Sequence, residues 1–130
     1  MTNVTDPAVA ETFRAFPPAA RVRLLKLREM IFDEARKTDA GLPTESLKWG
    51  EPAYRPLRGS TIRLGWKEEA PKEVAMYFIC TTGLVDRFRE LYPDDFRFAG
   101  NRALLFDLKG PLPETALRHC IALALTYHRK

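Results

Sequence analysis

Trp49, Tyr54, Trp66 and Tyr77 fall in the middle third of this chain, and Lys48, Arg55, Arg63 and Arg102 interleave with them. Each of these rings joins an apolar body to one hydrogen-bonding tip. A guanidinium or ammonium beside such a ring recognises a planar or anionic ligand by stacking and charge-assisted hydrogen bonds. The same pairing stacks on single-stranded bases, and it also serves ordinary packing, as a core tryptophan with cross-strand aromatic pairs. Five residues are therefore the candidate ligand-binding set: Trp49, Tyr54, Arg63, Tyr77 and Arg102. The rings would supply stacking area, and the arginines would orient a carboxylate or phosphate.

Other chemistry has little to stand on. The seven glycines form neither GxGxxG nor a phosphate loop, and neither HExxH nor GxSxG occurs. There are two histidines, His119 and His128. His119 adjoins Cys120, but successive helical side chains point about 100° apart, so the two do not form a catalytic pair by themselves. Cys80 and Cys120 read as reduced, largely buried thiols. Asp86 and Glu90 share a helix face, with Asp94 and Asp95 nearby, but Arg87 and Arg89 sit among them, as in surface ion pairs. No catalytic residue, metal ligand or cofactor is assigned.

The elements that must position the candidate residues follow from periodicity. Asp6 reads as an N-cap and Pro7 as the first residue of a short helix to Ala15. A second helix spans Pro18 to Lys37, with Ala20, Leu24, Leu27, Ile31 and Ala35 on its apolar stripe and Val22, Leu25, Met30 and Phe32 widening it. Arg21, Arg28 and Glu29 are placed on its wet side. Ile62, Leu64 and Trp66 alternate with polar or small residues, as do Val74, Met76 and Phe78 with their neighbours, and both runs predict strands. Tyr54 to Arg58 is expected to pair with the chain from Thr61 through a Gly59-Ser60 turn, with Pro56 favouring an edge. Leu84 to Leu91 predicts a short helix. Phe96 to Ala99 and Arg102 to Leu108 flank Gly100-Asn101 as a second hairpin, and a last helix runs from near Pro113 towards Tyr127. The expectation is an α+β fold: an antiparallel sheet of about five strands, with the second and last helices on one face.

The 130 residues suit a single domain, 1–130, in which 1–17 form an N-terminal extension with a short helix and 18–130 the core. Met1 to Thr5 read as untethered. Hydrophobic residues make up 45% and charged residues 29%, which argues against global disorder. The net charge of +4 favours anionic partners weakly, since acids lie among the bases nearly everywhere. The longest apolar-rich stretch, Cys120 to Leu125, is too short to span a bilayer, so no membrane partner is expected. The start of the chain lacks a basic and then apolar signal pattern. Two cysteines without CxxC spacing suit a reducing cytoplasm. Nucleic acid is not the expected partner, and a protein partner is left open.

The segment Ser46-Leu47-Lys48-Trp49-Gly50-Glu51-Pro52-Ala53-Tyr54 resembles the hallmark of the YdhG-like family, domain of unknown function 1801: an apolar residue, a Lys, then Trp-Gly-x-Pro-x-Tyr. Met76-Tyr77-Phe78, Leu84 to Leu91, Arg102-Ala103-Leu104-Leu105-Phe106 and Leu112-Pro113 are similar, in order, to later pieces of that family. Some members are described as frataxin-like intracellular iron chaperones, which implies delivery of iron to an assembly partner. The resemblance carries no metal ligand over to particular residues here. The leading expectation is a non-enzymatic binding domain for a small anionic molecule. Iron delivery and a small enzyme of unknown reaction are the alternatives.

Overall fold

The computed structural model describes residues 2–128. Helix α1 covers Pro7–Ala15, and the Asp6 carboxylate accepts from the N–H groups of Ala8 and Val9 at 2.8 and 3.2 Å. Two otherwise orphaned donors are thereby satisfied. Helix α2 covers Pro18–Lys37 and begins, like α1, on a proline. Its Leu24, Leu27, Met30 and Ile31 are fully buried. Each such side chain contributes about 1.5–3 kcal/mol relative to exposure. Val22 belongs to the other side and is exposed, whereas Arg28 lies inside.

Six antiparallel strands follow: β1 (Thr44–Lys48), β2 (Glu51–Arg55), β3 (Ile62–Gly65), β4 (Glu73–Phe78), β5 (Arg97–Ala99) and β6 (Ala103–Asp107). Helix α3 (Leu84–Leu91) stands between β4 and β5, and α4 (Glu114–Leu125) closes the order. The sheet runs β1-β2-β3-β4-β6-β5. The fold is thus α+β as expected, with one more strand than five. The additional strand is β1, whose register pairs Glu45 with Tyr54 and Lys48 with Glu51. Its sequence, Thr-Glu-Ser-Leu-Lys, has a single large apolar residue, so alternation does not announce it.

Strand period decides what faces what. Tyr54, Ile62, Leu64, Val74, Met76, Phe78, Leu104 and Phe106 join residues of all four helices in one core. The alternate positions, among them Lys48, Glu51, Thr61, Arg63, Tyr77 and Leu105, form the other face of the sheet. Phe78 packs edge to face on Phe88 of α3, with ring centroids 5.0 Å apart. Such a pair adds about 0.5–1.5 kcal/mol beyond its buried area.

One connection and the start of the chain differ from expectation. The Gly59-Ser60 dipeptide is not a two-residue turn: β2 ends at Arg55, and the longer link passes beneath the end of α4. There the Ser60 N–H donates to the Ala124 carbonyl at 2.8 Å, and the His128 N–H donates to the Arg58 carbonyl at 3.0 Å. A Cβ at Gly59 would collide with the carbonyls of Leu125 and Ala124, so this approach requires glycine. The N-terminus is not loose either. Thr2 donates from its N–H and hydroxyl to the Glu29 carboxylate, and the carbonyls of Thr2 and Asn3 accept from Arg28. Helix α1 packs Val9 and Phe13 into the common core. Met1, and the chain after His128, lie outside the described residues. Among the described residues no helix is long and apolar enough to cross a membrane.

Candidate functional site

Strands β1 and β2 are joined by two residues, Trp49 and Gly50, with φ of 55° and 75°. A tight hairpin of the I′ kind demands this pair of positive values, since its twist matches that of the flanking strands. Glycine meets the demand freely, whereas a residue with a Cβ meets it at a cost of about 1–2 kcal/mol. The indole gains little in return from packing, because Trp49 is 87% exposed. Strained backbone that presents a large apolar side chain to solvent recurs at ligand clamps and switch regions.

Beside this turn, on the sheet face that carries no helix, is an open hollow of about 410 Å³. Lys48, Trp49, Thr61, Arg63, Cys80 and Arg102 line it. Lys48 is the last residue of β1, Arg63 lies on this face in β3, and Thr61, just before that strand, has the same parity. Arg102 is fixed by its own carbonyl, which accepts from the Phe78 N–H at 2.7 Å and so holds the residue against the end of β4. Its Nη2 lies 3.9 Å from the Cys80 Sγ. Neither Lys48 nor Arg102 has a carboxylate partner among the described residues, whereas Arg63 donates to Glu51 Oε1 at 3.2 Å. The Glu51 carboxyl is raised above its ordinary value by burial, with Arg63 and Lys67 pulling it back in part. Gly65 makes room for it, because a Cβ there would collide with the Glu51 carboxylate.

The sequence-selected residues therefore divide. Trp49, Arg63 and Arg102 line one hollow. Tyr77 does not line it: it lies on the far side of Arg63, its ring centroid 5.4 Å from the Arg63 guanidinium carbon and 5.6 Å from Lys67 Nζ. It supports Arg63 by a cation–π contact instead. Tyr54 is on the opposite face, fully buried. Its hydroxyl donates to Glu45 Oε2 at 2.6 Å, and the same carboxylate takes Arg28 in a fork, Nε at 2.6 Å and Nη2 at 2.9 Å. Burial pulls the Arg28 guanidinium down, but the hydrogen bond and charge of Glu45 outweigh it and the net shift is upward. Burial pushes the Tyr54 phenol up, and Glu45 pushes it further. Tyr54 therefore belongs to a buried structural cluster and has no place in the hollow.

Thr61 and Cys80 are the lining residues that the sequence-based selection missed. Thr61 belongs to the alternation read for this strand, and parity places it beside Arg63, but it was passed over because it carries neither ring nor charge. Cys80 stands two residues after β4, and it is half-buried where a buried thiol was expected. Cys120 is fully buried, and burial, with the Asp95 charge, raises its thiol to about 12. Among the described residues no three His, Cys, Asp or Glu side chains converge to hold a metal ion. Asp86 pairs with Arg89 at 3.0 Å.

The fold and the hollow define a class: a two-layer α+β domain whose open sheet face carries a cationic hollow rimmed by one exposed indole. A scan against protein-family models finds no match to the chain, and searches of the curated proteins and of the solved structures find none either.

Proposed function

We propose that this chain is a non-enzymatic binding domain that takes a small anionic ligand in the hollow between Trp49, Arg63 and Arg102. One observation carries the reading: Trp49 is held at φ 55° with its indole 87% exposed, next to two cations, Lys48 and Arg102, that have no carboxylate partner among the described residues. Folding alone gains little from that arrangement. An anion between the cations and against the indole gains charge-assisted hydrogen bonds and stacking area at once. Arg63 serves as a third cation whose present partner, Glu51, competes with the ligand. Kinship with the YdhG-like family, suggested by the Lys48–Tyr54 segment, is part of the same proposal.

The test uses the chain's two tryptophans. Trp66→Phe leaves Trp49 as the sole indole. Titrating that protein with butanoate should change its fluorescence saturably, and Arg102→Gln should weaken the response about tenfold. A response indifferent to Arg102→Gln and to Lys48→Gln, or no response, removes the anion site.

A further inference from the structure

The hollow beside Trp49 adjoins a second one at Thr61 and Ile79. These two residues line both, and the second is the larger, at about 750 Å³. The second hollow runs between the β2–β3 connection, the chain after α2 and the end of α4. Its walls include Leu42, Pro56, Leu57 and Tyr127. Seven large apolar side chains are exposed among the described residues, and five of them line these two hollows: Trp49 in the first, Leu42, Leu57 and Tyr127 in the second, and Ile79 in both. Exposed apolar side chains scattered singly need no explanation, but a contiguous set along a groove marks a binding surface. Each hollow falls in the size range of small-molecule sites.

Charge is distributed unevenly along the joined groove. Lys48, Arg63 and Arg102 surround the smaller hollow, whereas the larger has Arg55 and His128 as its basic residues and sets Leu42, Pro56, Leu57 and Tyr127 among threonines and Ser60. Thr61 stands at the junction, nine-tenths buried, and its hydroxyl has no hydrogen-bond partner among the described residues. A ligand crossing that junction meets a free hydroxyl there, a cationic end on one side and an apolar trough on the other.

We infer that the two hollows form one site for a single-chain amphiphilic anion. Its carboxylate-type head sits among Lys48, Arg63 and Arg102, and its hydrocarbon chain runs over Ile79 into the trough walled by Leu42 and Leu57. The inference rests on the anion-binding reading above and adds the nature of the rest of the ligand. Both hollows are open to solvent, so one side of the chain stays wet. Each added methylene should then tighten binding about twofold, against about fourfold for a methylene buried on all sides.

The experiment is a chain-length series of butanoate, hexanoate, octanoate and decanoate, each below its micelle concentration, followed by Trp49 fluorescence and by calorimetry. Decanoate, with six more methylenes, should bind about sixtyfold more tightly than butanoate. Leu57→Asp, a change at an exposed loop position, should flatten the series. Arg102→Gln should weaken every member by a similar factor. If butanoate binds and Arg102→Gln weakens it, but affinity is flat in chain length or Leu57→Asp leaves the slope intact, the amphiphile is wrong and the anion site stands. If affinity rises with chain length but ignores Arg102→Gln, or if decyltrimethylammonium binds as well as decanoate, or if no member binds, both fall.

Discussion

Replacing Trp49 by asparagine should leave the domain at least as stable and should cost it its ligand. The backbone term favours the variant, because a residue with a Cβ at φ 55° costs about 1–2 kcal/mol and asparagine is among the residues that tolerate that conformation best. The packing term favours tryptophan, but weakly. With 87% of Trp49 exposed, only about 25 Å² of a ring system that would bury about 200 Å² is covered. At about 25 cal/mol per Å² this amounts to about 0.6 kcal/mol. Since asparagine keeps part of the strain, the difference is a net gain of up to about 1 kcal/mol, or up to about 4 °C in Tm for a domain of this size. Removing the stacking surface should meanwhile weaken anion binding about tenfold, which is about 1.4 kcal/mol. Urea denaturation of both proteins, with equal slopes, gives the first quantity, and calorimetric titration with octanoate gives the second. A stability loss above about 1 kcal/mol would mean that the indole is structural. Unchanged affinity in a well-folded Trp49→Asn protein would remove the indole from the site.

Tyr54→Phe should behave in the opposite way: it deletes a 2.6 Å hydrogen bond to a buried carboxylate, so a loss of about 1.5–3 kcal/mol in denaturation should accompany unchanged anion affinity. Glu51 gives a pH dependence. Its folded value lies above the ordinary 4.5, so its protonated form is favoured in the fold, and that contribution to stability is complete below 4.5 and lost as pH rises through the folded value. Protonation also releases Arg63, so affinity for octanesulfonate, which stays ionised throughout, should rise as pH falls through the same range, and Glu51→Gln should bind it more tightly at pH 7 with that rise abolished; calorimetry at several pH values checks it. Among the thiols, Cys80 should be modified by a small reagent in the native protein and Cys120 only on unfolding, as mass spectrometry of the labelled chain would show. Ferrous iron should bind only weakly in calorimetry, and stoichiometric micromolar binding lost in Asp86→Ala or Asp94→Ala would favour iron delivery instead.

The long elements were legible because their periods are strong and their ends are marked. Helix α2 begins at a proline and keeps its stripe for twenty residues, and α3 ends against Pro93. Arg28 shows how charge obscures spacing. It falls on the same stripe as Leu24, Ile31 and Ala35, but its charge placed it on the wet side, while its partner Glu45 lies 17 residues away in a strand that alternation did not reveal. The β1–β2 hairpin was hidden for a related reason. Two-residue turns are recognised by Asn-Gly or Asp-Gly, and here a tryptophan holds the first position. At the site, Trp49, Arg63 and Arg102 were found because ring and cation chemistry selected them. Tyr54 was selected on the same chemistry, but strand parity, fixed only once β2 is known to start at Glu51, turns it to the core. The second hollow was illegible, since Leu42 and Leu57 come from two separate connections and Tyr127 from the chain after α4, and only the fold brings them together.

The most direct test of the anion site is amide chemical-shift mapping of the ¹⁵N-labelled protein during a titration with octanoate. The account requires saturable shifts concentrated at Lys48, Trp49, Gly50, Thr61, Arg63, Cys80 and Arg102, with the buried Tyr54 and Glu45 region unmoved. Shifts that stay linear at the highest concentration, or that saturate on the helical face while the β1–β2 turn is silent, would contradict it.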